Sequence, residues 1–117
     1  MAPVSEENGM NARRQARLKA RARIIKALGH PTRLFLVEEL ARGERCVCRL
    51  TEMVGADIST VSRHLSVLKN AGIVQDEKRG LQVWYRLRIP CVLKFLDCVE
   101  TILADRVKAE ANLACRA

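Results

Sequence analysis

No stretch of this chain approaches the ~20 consecutive apolar residues needed to cross a bilayer, so no membrane-spanning role is expected. The first ten residues lack the basic-then-apolar order of an export signal, which makes a cytoplasmic location the expectation. There are no internal repeats and no low-complexity segments. A nucleophile–base constellation is missing, as is the βαβ framework that a thiol oxidoreductase needs, and the chain is not expected to be an enzyme. Acidic residues are absent between Arg13 and Lys26. Cysteine is scarce and odd in number, at five, and without an export signal a structural disulfide framework is not expected. Reduced thiols available for metal or redox chemistry fit better.

What is present fits one small domain. At 117 residues the chain buries only about two-thirds of its unfolded surface, and a second copy would supply burial that a thin core lacks. An apolar fraction of 49% is ordinary for a globular protein. The net charge of +8 favours an anionic partner, with nucleic acid first and an anionic membrane surface second.

Residues 1–12 read as a flexible tail and 13–117 as the folded domain. Arg13, Arg14, Arg17, Lys19, Arg21, Arg23 and Lys26 make the first helix strongly basic, with Leu18, Ala22, Ile25 and Leu28 at helical spacing and Gly29 as a stop. Pro31 suits the first position of a second helix, whose apolar residues are Leu34, Val37, Leu40 and Ala41, with Gly43 closing it. A third helix spans about Val47 to Val54, with Leu50, Met53 and Val54 on its apolar face and Gly55 at its end. Asp57 is placed to cap a fourth, accepting a backbone N–H from Ser59 or Thr60. That helix runs to about Ala71, with Val61, Leu65 and Leu68 facing inward.

The period then changes from 3.6 to two. Leu81, Val83, Tyr85 and Leu87 alternate with Gln82, Trp84, Arg86 and Arg88, the pattern of a half-buried strand. Ile73 to Glu77 is its expected partner, connected through Lys78-Arg79-Gly80. Pro90 opens a last helix with an apolar stripe at Leu93, Leu96, Val99, Leu103 and Val107. The expected fold is therefore mainly α with one β-hairpin, in the order α-α-α-α-β-β-α: a winged helix-turn-helix with an extra helix at each end.

In such a unit the second helix of the pair enters the major groove with its N-terminal residues at the base edges. Ser59, Thr60, Ser62 and Arg63 occupy that position. Short hydroxyls allow close approach, and an arginine can reach guanine bidentately. Lys78 and Arg79 at the wing are placed for phosphate or minor-groove contact. His64 either packs locally or touches DNA. Trp84 either stacks at the duplex or packs against another helix, and packing is the favoured expectation. The basic first helix is either a solvated face or a phosphate-attracting one. A basic surface used for protein contact is the plainer reading of the same pattern.

Cys46-Val47-Cys48 opens the third helix, with Arg42, Arg45 and Arg49 close in sequence. Cations and a helix N-terminus both favour the thiolate, which is the form that binds soft metals. Two residues apart on a helix means side chains about 200° apart. Both sulfurs can therefore hold one ion only if Cys46 stays outside the helix or the first turn unwinds, and either is expected to tilt the third helix and misplace the fourth. The plain alternative is a pair of partly buried thiols. Cys91 and Cys98 share a helix face but lie ~10 Å apart along the axis, so they cannot share an ion directly. Either of these, or Cys115, could supply a third thiolate after dimerisation.

The stretches KALGHPTRLFLVEEL, RCVCRL, STVSRHLSVLKNAGIV and VWYRL, spread from Lys26 to Leu87, resemble the ArsR/SmtB family of metal-sensing repressors. Cys46 and Cys48 match the C-V-C of that family's arsenic-sensing and cadmium/lead-sensing branches. The resemblance implies a symmetric dimer built from the terminal helices, an inverted-repeat operator in double-stranded DNA, and repression of a resistance operon. It also implies trivalent arsenic or antimony, As(III) or Sb(III), as thiolate-bound inducers, with no cofactor otherwise required. Arg49 stands where the family usually has Asp, and Thr51 where some arsenic sensors carry a third cysteine. No cysteine precedes Cys46, which weakens a cadmium/lead reading, and the last helix has no histidine for a zinc site. The arsenic branch is the expectation. A redox or reactive-sulfur sensor using the cysteine pair is its nearest rival, and an architectural nucleic-acid protein without effector a further one.

Overall fold

A computed structural model describes residues 9–116. Of the expected tail, residues 1–8 lie outside the described residues. Asn11 and Ala12 already belong to the start of helix α1 (Ala12–Leu28), where the Asn11 side chain accepts the Arg14 N–H at 2.8 Å. Helix α2 (Pro31–Ala41) follows at once, with Pro31 in its first turn and the His30 Nδ1 accepting the Thr32 N–H at 3.1 Å. A two-residue strand, β1 (Arg45–Cys46), precedes helix α3 (Val47–Val54). Helix α4 (Ile58–Asn70) is capped by Asp57, which takes the Thr60 N–H at 3.0 Å. Strands β2 (Val74–Arg79) and β3 (Gln82–Leu87) form the hairpin, and α5 (Val92–Arg116) ends the described chain.

The architecture is the expected winged helix-turn-helix, with one addition. Strand β1 pairs antiparallel with β3, so the sheet has three strands in the order β1-β3-β2. Two residues carry no readable period, so the pattern of the sequence could not reveal this strand. The hairpin also differs in register. Arg79 pairs with Gln82, leaving Gly80-Leu81 as a two-residue turn. Gly80 takes φ +62°, which a glycine at the first turn position adopts without strain. Lys78 and Arg79 are thus strand residues, and Leu81, expected to face inward, sits at the tip in full contact with solvent.

The core lies among α2, α3, α4 and the sheet. Leu36, Val37, Leu50, Val61, Leu65, Leu68 and Ile73 are completely inaccessible. Leu36, outside the expected apolar series, is fully buried, whereas Ala41, expected inward, is exposed. Helix α4 is stopped by Gly72 at φ +82°, where the Ile73 N–H reaches back to the Leu68 carbonyl at 3.0 Å while both side chains stay in the core. This arrangement fixes where the helix ends and the hairpin begins. The terminal helices behave differently. Only Ala27 and Leu28 of α1 are buried, and Phe95, Val99, Ile102, Leu103 and Val107 of α5 are exposed.

Candidate nucleic-acid interface and thiol site

The first turn and a half of α4 carries the four residues expected to read bases. Ser59 and Arg63 are exposed; Thr60 and Ser62 are half-buried. The Ser59 hydroxyl donates to the second Asp57 carboxylate oxygen at 3.1 Å, while Thr60 holds the first. Hydrogen bonds from Thr60 and Ser59 push the Asp57 carboxyl below its usual range, so the cap is charged at neutral pH. Ser59 is therefore a cap partner in the free chain. Arg63 and Ser62 remain the residues of this group with no hydrogen bond to the cap.

The two wing cations are unlike each other. Lys78 projects from β2 and is exposed. Arg79 is tied down: its guanidinium bonds Glu44 at 2.8 Å and Glu77 at 3.1 Å, and lies 5.1 Å from the centre of the Trp84 ring. These carboxylates hold the Arg79 guanidinium above its usual pKa. Trp84 thus lies on the sheet under Arg79. The wing tip, expected to present two free cations, presents Gly80 and Leu81 instead.

His64 packs locally. Its ring lies 4.4 Å from that of His30 at an interplanar angle of 40°, and its Nδ1 is 3.3 Å from the Arg33 Nη1. Burial, with the charges of His30, Arg33 and Arg63 adding to it, pushes the His64 imidazole below its ordinary value.

The cysteine pair is built by β1 and the start of α3. Cys46 is extended, with φ −77° and ψ 157°, and serves as the N-cap of α3: its Sγ accepts the Arg49 N–H at 3.3 Å. Cys48 lies in the first turn. With one residue outside the helix, the roughly 200° divergence of two helical neighbours does not arise. The sulfurs of Cys46 and Cys48 are joined, with Cα atoms 5.4 Å apart, while α3 is intact from Val47 onward. The first of the two geometries expected from spacing is the one found, and bringing the sulfurs together does not require the first turn to unwind. The neighbouring arginines turn elsewhere: Arg49 to Glu52, Arg42 to Glu39, and Arg45 to the Glu44 carbonyl. The helix N-terminus, and not a guanidinium, is what faces the Cys46 sulfur.

This pair opens into a cleft of about 270 Å³ lined by Ile58 and Ser62 of α4 and by Leu81, Gln82 and Val83 of the wing. The Gln82 Nε2 is 3.9 Å from the Cys48 Sγ, and Cys46 is paired in register with Trp84. Neither Gln82 nor the Glu44–Arg79 contact was foreseeable, because both depend on β1 laying the 44–46 segment beside β3. Cys91 and Cys98 are exposed on α5, and the Cys115 side chain lies outside the described residues. Among the described residues no three His, Cys, Asp or Glu side chains of one chain gather into a metal-holding group.

The model of the bacterial regulatory protein family arsR matches residues 30–76. An HTH-type transcriptional regulator of Methanocaldococcus jannaschii is 39% identical over 80 residues, covering 65% of this chain and 90% of that protein. The biofilm growth-associated repressor of Xylella fastidiosa is 34% identical over 87 residues, or 74% of this chain and 76% of that one. The arsenic resistance transcriptional regulator ArsR1 of Pseudomonas putida is 39% identical over 77 residues, 65% of this chain and 59% of its own length. Among solved structures, the homodimeric winged helix-turn-helix DNA-binding domain of a possible ArsR-family regulator from Mycobacterium bovis superimposes with a TM-score of 0.73. It is 30% identical to this chain, over 86% of this chain and 94% of that one. With the order of its elements, its three-stranded wing and these relatives, the chain belongs to the ArsR family of DNA-binding transcriptional regulators and is not an enzyme.

Proposed function

We propose that this chain is a homodimeric repressor of an arsenic or metal resistance operon, released from its operator when trivalent arsenic or antimony binds the Cys46 and Cys48 thiolates. The observation that carries the reading is the position of the pair: one sulfur caps α3, and both border a cleft whose other walls are α4 and the wing. The name of the P. putida relative points the same way. Arsenous acid condenses with the two reduced thiols by forming two As–S bonds and releasing two waters, and one hydroxyl stays on arsenic unless a further thiolate replaces it. Cys91, Cys98 or Cys115 is the candidate for that place in a dimer.

In this reading Ser62, Arg63 and the hydroxyls of Ser59 and Thr60 meet base edges, and Lys78 meets phosphate while Arg79 shapes the wing. The exposed apolar faces of α1 and α5 join two copies, placing two reading helices on an inverted repeat. Because Cys46 is paired into the sheet opposite Trp84, and the sulfurs come together with α3 intact and without the tilt expected from spacing, the signal leaves through β3 and the wing. A coupling of about 1–3 kcal/mol is enough for induction.

A second reading is favoured by the joined sulfurs: reversible oxidation of the same pair, or persulfide formation on it, would act on the same cap and wing contacts. Both readings are tested on a duplex selected by the protein itself from random sequence. Binding is followed by fluorescence anisotropy with arsenite, antimonite, cadmium, zinc or a persulfide donor, for the wild type and Cys46→Ser. Release by arsenite that the variant loses supports the first reading. Release by the persulfide donor alone supports the second, and equal arsenite release by both proteins moves the sensor away from this pair.

A further inference from the structure

Titratable side chains from separate elements also meet at the junction of α1, α2 and α4. Arg33 stands at its centre. Its Nε donates to the Ala27 carbonyl in the last turn of α1 at 2.6 Å, and its Nη1 lies 3.3 Å from the His64 Nδ1 on α4. The His30 ring, which belongs to the cap of α2, leans against His64 from the other side. One guanidinium therefore joins three helices, and its α4 partner directly follows Arg63 in the segment proposed above to read DNA.

We propose that Arg33 and His64 are positioning residues for α4: their contact, backed by His30, locks the reading helix to α1 and α2 and opens when His64 takes up a proton, so that operator binding weakens on acidification.

The chemistry is specific. Arg33 has only N–H donors to offer, so the His64 Nδ1 must present its lone pair, and the neutral ring then carries its proton on Nε2. A second proton goes to Nδ1, which sets donor against donor and charge against charge. The groups that act on His64 are His30 from the α1–α2 junction, Arg33 from α2 and Arg63 from α4 itself; all are basic. The folded chain thus binds this proton less readily than the unfolded chain does. The contact is fully made above the ordinary histidine value of 6.5 and is lost as pH falls below it. Simple electrostatics predicts the opposite sign, since a protonated histidine next to a polyanion strengthens binding. His30 and His64 are the only histidines in the sequence.

The test is the affinity of the reduced protein for its selected duplex at pH 7.5, 6.5 and 5.5 and fixed ionic strength, with circular dichroism confirming the fold at each. It depends on α4 reading DNA and not on thiol sensing. The wild type is expected to lose at least about fivefold in affinity across the range. His64→Asn keeps an acceptor near the Nδ1 position without the titration, and is expected to bind within about twofold of wild type at pH 7.5 with a flat profile. A wild-type affinity that stays constant or rises on acidification overturns the proposal, as does a His64→Asn profile as steep as the wild type's. If His64→Asn does not fold, Arg33→Lys replaces it. A single ammonium cannot serve both the Ala27 carbonyl and His64, so binding at pH 7.5 should weaken and the slope should shrink. An unchanged slope in that variant overturns the clamp.

Discussion

The segment from α2 to β3 and the two terminal helices solve the burial problem in different ways. In the central segment, Ala41 and Leu81 apart, the periodic apolar positions find partners within the chain: Val61, Leu65 and Leu68 of α4 join Leu36, Val37 and Leu50 in one cluster with no surface left over. In α1 and α5 the same kind of periodicity leaves Ile24, Ile25, Phe95, Val99, Ile102 and Leu103 facing outward. A stripe at 3.6-residue spacing therefore says that a face will be buried, not by what. The central stripes are completed inside the chain; the terminal ones are left open, and on the proposed reading a second copy covers them.

The sharpest way to break this contrast is to charge the terminal face alone. Ile102→Glu with Leu103→Glu, at positions 60% and 52% exposed, should leave the helical spectrum in place but yield a monomer in sedimentation. Duplex affinity should drop by about 100-fold or more, because two linked half-sites become one. If the double variant remains dimeric, the two regions do not differ as described. Charging nothing and emptying the core instead, Leu65→Ala should cost about 2–5 kcal/mol in denaturant unfolding, the range for deleting a fully buried leucine. Asp57→Ala removes the α4 cap and should lower the melting temperature by less than Leu65→Ala does. The contribution of this cap is present above the ordinary carboxylate range and is lost as pH falls through the depressed Asp57 value, so the two proteins should converge in acid. Smallest of all, Glu44→Gln frees Arg79 from one of its two carboxylates at an exposed site and should hardly move the melting temperature. Its effect should be read in Trp84 emission, which loses the fixed guanidinium above the ring. The same emission should respond to arsenite in the reduced wild type and not in Cys46→Ser, since Trp84 sits opposite Cys46.

The helices, their caps and the hairpin were legible because each has a local cause. Pro31, Asp57, Gly72 and Gly80 act within a few residues of their own position, whereas the Asn11 cap was missed because that residue was read as tail. What escaped was set by contacts distant in sequence. Strand β1 exists because Arg45 and Cys46 meet Tyr85 and Trp84, some 40 residues away. That pairing also takes Arg79 out of the role of a free wing cation and gives Cys48 its neighbour Gln82. The hairpin register shifted because Gly80-Leu81 makes a shorter turn than Lys78-Arg79-Gly80 would, and Leu81 left the inward series as a result. The cysteine pair was readable as a pair. That Cys46 would stand outside the helix could be stated only as one of two alternatives, because spacing gives angles and not helix boundaries.

The two sulfurs are also unequal in access: Cys48 is open to solvent, while Cys46 is 8% exposed beneath it. On the proposed reading, capture is therefore stepwise, with the outer thiol meeting the incoming ion and the inner one closing a chelate ring from below. A reagent able to form a single sulfur bond stops at the rim and leaves the α3 cap undisturbed, whereas one with two exchangeable positions reaches Cys46. Valence, more than affinity for sulfur, then decides which soft electrophiles the protein hears.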